Sequence, residues 1–292
     1  MKKYAILVNT CDKYSDAWPT FFYLLSQTWK SDMPNIYLNT ENKKCEIESV
    51  EVVTAGKIKP DCWGERLRNA LSHVKEDYVL MMLEDFYYES PINIDVIDKC
   101  ADAMEKDKKI MSFQLVPASE VYRGEVKDTY EEYEGFALRE RKGTYTFIAG
   151  PTLWRKSDLI KLTRPSDTPW TWEWYGSFRT QLYGKKIYCW KSFDNPVFDY
   201  DIAHGGAIHG GKWVGYKMRE LEEKYGIIID MSKRDVVEDW IKDRDIKTQV
   251  HNKPSRSIWR KIVDRIKGKM NSLHRKSITF NNILYGGIRR LF

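Results

Sequence analysis

The chain has 292 residues, 42% of them hydrophobic, with 11 Trp, 18 Tyr and 11 Phe. That stock of aromatics fills a sizeable core and excludes disorder over most of the length. No apolar run approaches the roughly 18–20 residues of a membrane span. The net charge of +6 is unevenly shared: from Val250 onward eleven Lys/Arg face one acid, Asp264, whereas the first 249 residues carry 37 basic and 41 acidic groups. A mildly acidic body with a strongly basic tail suggests an anionic surface as partner. Five scattered cysteines without CxxC spacing argue against a zinc site or a disulfide framework and place the protein in a reducing cytoplasm.

In chain order, Tyr4–Asn9 is a short apolar run opening into polar residues, the pattern of a parallel strand entering a loop. Ala17–Trp29 carries Phe21, Leu24, Leu25 and Thr28 at helical spacing, and Asn35–Asn39 and Ser49–Thr54 read as strands. Asp61–Val74 reads as a helix with Asp61 as N-cap and Leu67, Ala70, Leu71 and Val74 on one face. Tyr78–Leu83 is the most apolar strand, uninterrupted as a central parallel strand covered on both faces should be. A helix over Ile94–Glu105 and a strand over Ile110–Leu115 follow. Beyond them the pattern predicts a hairpin of Phe136–Arg141 and Thr144–Ala149. Helices near Ser157–Leu162 and Trp172–Tyr183 and a strand Lys186–Trp190 complete the series. This alternation predicts an α/β domain whose ligands gather beyond the carboxyl ends of its strands.

That expectation directs attention to Glu84-Asp85-Phe86, at the mouth of the Tyr78–Leu83 strand. Two adjacent carboxylates there need a cation or hydrogen-bond donors. They would suit Mg²⁺ or Mn²⁺ with a nucleotide diphosphate, since hard cations take carboxylate oxygens and share phosphates. Equally, one could cap the next helix while the other is solvated.

Arg68-Asn69-Ala70-Leu71, then Glu76-Asp77-Tyr78-Val79-Leu80-Met81-Met82-Leu83-Glu84-Asp85, resembles the nucleotide-sugar half of GT-A-fold glycosyltransferases, particularly family 2. There an "RN-apolar" helix leads through a strand into the acidic DxD motif. Asn9-Thr10-Cys11-Asp12 stands where the family's base-binding loop sits, and Trp172-Glu173 through Arg179 to Tyr183-Gly184-Lys185-Lys186-Ile187 resembles its "ED…R…Gyki" segment. The resemblance covers roughly residues 3–215. It implies a GT-A, Rossmann-like nucleotide-diphospho-sugar transferase domain over 1–249, with a basic amphipathic helical tail over 250–292. Two departures stand out: Phe86 occupies the last position of DxD, so that either Asp85 takes over as metal ligand or no divalent cation is needed, and Trp172 replaces the first acid of the ED pair. The pattern fits a divergent branch of the type found in bacterial capsule, O-antigen or cell-wall polysaccharide clusters.

The implied site follows residue by residue. Glu173 falls on the catalytic base, a single carboxylate on the far side of the anomeric carbon and hence an inverting displacement. Asn9, Thr10, Asp12, Glu84 and Asp85 face the donor. Of Arg66 and Arg68 only one should point inward, and Arg66 is preferred. The glycine-rich segment Asp201–Trp213 reads as a loop able to approach a ligand closely, with Lys212 on the diphosphate and His209, or alternatively His204, joining Asp85 at a metal. In the run Trp170–Tyr175, Trp172 and Trp174 are the candidate platform for a sugar ring, although core packing is the ordinary use of such aromatics.

Ser257–Met270 places Ile258, Trp259, Ile262, Val263, Ile266 and Met270 on one stripe flanked by Arg and Lys, and Ile278–Phe292 adds a second apolar segment. A basic amphipathic helix with Trp suits an in-plane anchor on the inner face of the membrane; packing on the domain or a homo-oligomer contact is the alternative. No nucleic-acid-binding fold accompanies it. The expected partners are therefore a nucleotide-diphosphate sugar, a glycan or lipid-linked acceptor, and an anionic membrane surface. The non-enzymatic alternative is a degenerate domain that binds glycan or scaffolds an assembly.

Overall fold

The apolar runs build one eight-stranded sheet. A computed structural model of the chain describes residues 2–117, 133–139, 146–201 and 206–239. The chain divides into two units, Met1–Glu238 and Asp239–Phe292. The expected boundary at 249/250, the amphipathic helix and the second apolar segment of the tail lie outside the described residues.

β1 (Tyr4–Asn9) is buried at all six positions. It is flanked by β2 (Ile36–Thr40) and β4 (Tyr78–Met82), and β3 (Val50–Thr54) extends the sheet beyond β2; all four strands are parallel. β5 (Ile110–Pro117) pairs in parallel with β8 (Lys186–Trp190). Two antiparallel strands complete the sheet: β7 (Thr152–Arg155) lies between β4 and β5, and β6 (Phe136–Leu138) lies outside β8. This is the α/β class that the alternation predicts and the Rossmann-like fold that the resemblance implies.

Alternate residues of each strand face two cores, as a period of two requires. Tyr4, Ile6 and Val8 of β1 pack with Phe21, Leu24 and Leu25 of α1 (Trp18–Thr28) and with Ile97, Cys100 and Met104 of α3 (Ile94–Lys106). Ala5 and Leu7 face the other side. There Leu67, Ala70 and Leu71 of α2 (Trp63–His73), Leu159 and Leu162 of α4 (Lys156–Leu162), and Trp172 of α5 (Pro169–Thr180) form the second core. Each fully buried Leu or Ile contributes roughly 1.5–3 kcal/mol, so the central strands are held from both faces. α5 starts on a Thr168–Thr171 capping box with Pro169 in its first turn, a strong start signal. A smaller sheet, β9 (Ile208–His209), β10 (Lys212–Val214) and β11 (Val236–Val237), brackets α6 (Gly215–Tyr225).

Three local expectations are corrected. Asp61 does not cap α2: the N-cap is Cys62, with no side-chain hydrogen bond. The predicted hairpin does not form as drawn, because Phe136–Leu138 pairs with β8 and residues 146–149 are not in a strand; residues 140–145 lie outside the described residues. The segment predicted as a glycine-rich loop contains the β9–β10 hairpin, whose turn residues Gly210 and Gly211 both have positive φ (57° and 81°), as a two-residue turn of this kind requires.

Candidate functional site

β1, β2 and β4 end at the same edge of the sheet, and the side chains at these ends interlock. Asn39 Nδ2 donates to Asn9 Oδ1 at 2.5 Å across the β1–β2 pair. Past β1, the Asp12 carboxylate accepts from the backbone N–H groups of Glu41, Asn42 and Lys43, at 3.0–3.1 Å. In return, Asp12 N–H donates to Glu41 Oε2 at 2.9 Å. Asp12 thus ties the loop after β2 to the loop after β1.

Arg66 reaches this junction from α2. It is buried, donates from Nη1 to Thr10 O at 3.2 Å, and lies 3.5 Å from Glu41 Oε1. Arg68, two residues on, turns away and donates to the carbonyls of Ile160 and Thr163. The inward arginine is therefore Arg66, the one preferred from the sequence. Its Nε and Asn9 Nδ2 are buried without a hydrogen-bond partner, so polar capacity remains at this edge.

Glu84 and Asp85 close the floor. Burial, with Asp85 adding to it, pushes Glu84 well above the usual carboxylate range, against hydrogen bonding from Thr10. Burial also raises Asp85, to about 7. Opposing this is Arg234, whose guanidinium makes a bidentate pair with Asp16 at 2.6 and 2.7 Å and lies over the rings of Tyr14 and Trp213. The buried Glu84 and the half-buried Asp85 thus share one fixed cation. Ala207 N–H donates to Asp85 O at 2.7 Å. A Cβ on Gly206 would strike that same carbonyl and the Phe86 ring, so a glycine is required where the 206–214 segment crosses the acidic pair.

Among the described residues no three His, Cys, Asp or Glu come together as an all-protein metal cage. Glu84 and Asp85, whose Oδ1 is buried without a partner, would hold Mg²⁺ or Mn²⁺ only together with oxygens of a bound diphosphate and water. Phe86, at the last DxD position, stacks on Tyr200 with centroids 4.6 Å apart and belongs to the core. His209 is exposed on β9, and Lys212 is exposed with its amine 2.9 Å from Asp235. His204 lies outside the described residues.

Glu173 comes to the same edge by a different route. β7 runs antiparallel to β4, with Thr152 opposite Met81, so the residues before β7 lie beside those after β4. Ala149, three residues before Thr152, donates its N–H to Glu173 Oε1 at 2.7 Å. Burial raises the Glu173 carboxyl, and the Ala149 hydrogen bond offsets part of that shift. Arg179 does not pair with Glu173: it makes a buried bidentate pair with Asp167 and holds the α4–α5 connection.

Trp172 is not a sugar platform. Its indole is fully buried, lies 4.1 Å from the Phe147 ring centroid and 5.4 Å from that of Trp63, and donates Nε1–H to Thr163 Oγ1. Trp174 is half-buried and edge-on to Phe178. The exposed indole of the run is Trp170, 78% accessible. It is three residues before Glu173 on α5, so the two share a helix face. Reasoning from sequence missed Trp170 and also Arg234, which meets Asp16 across 218 residues of chain. The capping box at Thr168 was the signal for Trp170, since it fixes where α5 begins and which positions face inward.

No family model matches the chain, and no curated protein does. Among solved structures it is similar to S. aureus TarS residues 1–349, at 10% identity and a TM-score of 0.46, over 68% of this chain and 59% of that one. It is also similar to a cytidylyltransferase from Leptospira borgpetersenii serovar Hardjo-bovis, at 12% identity and 0.45, over 88% of this chain and all of that one. The longer S. aureus TarS chain matches at 12% and 0.44, over 68% of this chain and 36% of that one. The matched region thus spans less than two thirds of either TarS chain.

Proposed function

We propose that the chain is a glycosyltransferase that moves a sugar, with inversion, from a nucleotide-diphosphate sugar to a glycan or lipid-linked acceptor in bacterial surface-polysaccharide synthesis. One observation carries the reading. β7 enters the sheet antiparallel beside β4, and so brings the Glu173 carboxylate to the edge where Glu84, Asp85, Thr10 and Arg66 converge.

In this reading the donor's nucleoside lies between the ends of β1 and β2, where Asp12, Glu41 and Arg66 hold the two loops at fixed separation. Departure of the nucleoside diphosphate develops negative charge, which fixed cations stabilise without reorganising. Arg234, braced by Asp16, and Arg66, beside Glu41, are the fixed cations at that edge, and Lys212 on the β9–β10 hairpin, paired with Asp235, is the further contributor. No step is routed through a metal.

The acceptor hydroxyl, with a pKa far above 7, needs a carboxylate to take its proton as it attacks. Glu173 fills that role, its basicity raised by burial. Its Ala149 hydrogen bond holds Oε1 and leaves the other oxygen for the acceptor. The Trp170 indole, on the same helix face, offers the apolar side of the acceptor ring a place to stack. The expected in-plane association of the tail with the inner membrane face belongs to the same reading: a lipid-linked acceptor would be met at that surface. Among the described residues no helix is long and apolar enough to cross a membrane.

A thermal-shift series with UDP, GDP, dTDP and CMP, each with and without Mn²⁺ or Mg²⁺, tests the donor side, because a ligand that binds only the native state raises Tm by mass action. Stabilisation by one nucleotide is expected, and it should survive in Glu173→Gln. Absence of any shift at millimolar nucleotide would overturn the transferase reading in favour of a glycan-binding or scaffold domain.

A further inference from the structure

A cavity of about 550 Å³ opens between the first two turns of α3, β5 and the β6–β8 edge. Its size lies within the roughly 300–1,000 Å³ of small-molecule sites, and none of the donor-edge residues described above lines it. Its position on the sheet separates it from Glu173 as well. Neighbouring residues of a strand face opposite sides. Phe113 of β5 faces the cavity, whereas Gln114 donates to Thr146 O in the segment leading to Ala149.

The floor is aromatic and rigid. Phe113 and Phe136 meet edge-on at 4.9 Å, and Phe136 and Trp190 at 5.0 Å. The Trp190 indole is held by its Nε1–H to Asn195 O at 2.9 Å and lies flush against Gly135, where φ is +78° and any Cβ would collide with the ring. A wall fixed in this way loses little freedom when a ligand binds. The rim is polar: it carries the Asn195 amide, the Asn93 amide, whose Oδ1 accepts from Val96 N–H, and the Ser192 hydroxyl, whose oxygen accepts from Asn195 N–H and which keeps its own donor. Among the described residues its charged groups are Asp95 and Glu134 against Lys99, an excess of one acid.

Phe113 and Phe136 are covered, so the accessible apolar surface is that of the half-buried Tyr133 and Val96 and the edge of Trp190. Beside a rim of amides, hydroxyl and carboxylates it matches a pyranose ring, which has an apolar face and a girdle of hydroxyls. The acidic excess disfavours phosphate or diphosphate. We propose that this cavity is a saccharide subsite that takes one uncharged sugar unit, on the face of the sheet opposite the candidate base. The bound sugar is thus a non-reacting unit of a glycan rather than the ring that receives the transferred sugar. The site stands on its own lining and does not depend on turnover.

The full chain, labelled at its indole nitrogens, would be titrated with methyl β-D-glucopyranoside and with N-acetyl-D-glucosamine, and with inorganic phosphate as the anionic control. The Trp190 signal, identified by its loss in Trp190→Phe, is expected to move with at least one neutral sugar in the millimolar range and not with phosphate. Asp95→Ala and Asn195→Ala, both on the rim and tolerable to the fold, should each weaken that binding by about tenfold, the worth of one lost hydrogen bond. If Trp190→Phe does not fold, the two rim variants assign the signal instead. The proposal is overturned if neither sugar moves the signal, if phosphate moves it equally, or if neither rim variant weakens binding. Nucleotide binding is read in the same samples. Its failure with sugar binding intact would remove the transferase reading and leave this site, and the converse would do the opposite.

Discussion

The two halves of the carboxyl edge are built on different plans. Where β1, β2 and α2 meet, polar groups are tied into a network, Asp12 to three backbone amides, Glu41 to Asp12 and Arg66, Arg66 to Thr10, with Arg66 Nε and Asn9 Nδ2 left over. Where β7 and α5 meet, one carboxylate is held by one backbone N–H, with an exposed indole on the same helix face. The first half is a preformed socket that resists change. The second is a single carboxylate in a sparse setting, and the proposed function assigns chemistry to it and recognition to the socket.

Substitutions can break or sharpen that contrast. The largest effect is expected from Glu173→Gln, which keeps the shape and the Ala149 hydrogen bond but removes the base. Turnover should fall by about 10²–10⁴-fold with nucleotide binding unchanged, as read by steady-state kinetics beside a binding titration. Near-normal turnover would place the base elsewhere.

In the socket the corresponding loss is of stability. Arg66→Ala leaves Glu41 and the Thr10 carbonyl facing an empty space. Removing one partner of a buried pair costs on the order of 3 kcal/mol, so denaturant melts should show a lowered midpoint together with weakened nucleotide binding. A midpoint unchanged within error would mean that the socket is not held by this residue.

A smaller effect separates the same Glu173 variant by pH. Burial raises the folded-state pKa of Glu173 above its unfolded value. The native state therefore holds that proton more tightly, and stability falls as pH rises through the raised pKa. Glu173→Gln should then melt higher than the parent at neutral pH and lose this advantage below the unfolded carboxyl range. The acidic limb of the pH–rate profile should stand above that of an ordinary glutamate.

The smallest effect is reserved for Trp170→Ala. An exposed side chain outside the core should change stability by less than about 0.5 kcal/mol, while acceptor KM rises and nucleotide binding is unaffected. A matching loss of stability would show that the indole packs rather than binds.

Much of the socket was legible because it is local. The uninterrupted Tyr78–Leu83 run announces a strand covered on both faces, and the helical period of α2 separates Arg66 from Arg68. What escaped depends on pairing at a distance. β7 is only four residues, Thr-Leu-Trp-Arg, too short for periodicity to distinguish it from a helix start; its place between β4 and β5 is decided by the partners it finds. Trp172 and Trp170 look alike in a list of aromatics, and only the start of α5 decides which faces the core. Arg234 meets Asp16 after the whole domain has folded, and no local pattern records that.

The late arrival of β7 also has a cost during synthesis. β4 acquires its second neighbour only from a strand translated roughly seventy residues later, an interval of several seconds at ribosomal speeds of about 5–20 residues per second. For that time the nascent sheet ends in an unpaired apolar edge carrying Leu80 and Met81, the kind of edge that recruits other chains. Yield of this protein in a cell should therefore respond to translation rate and to chaperones that bind nascent chains, more than its finished core would suggest.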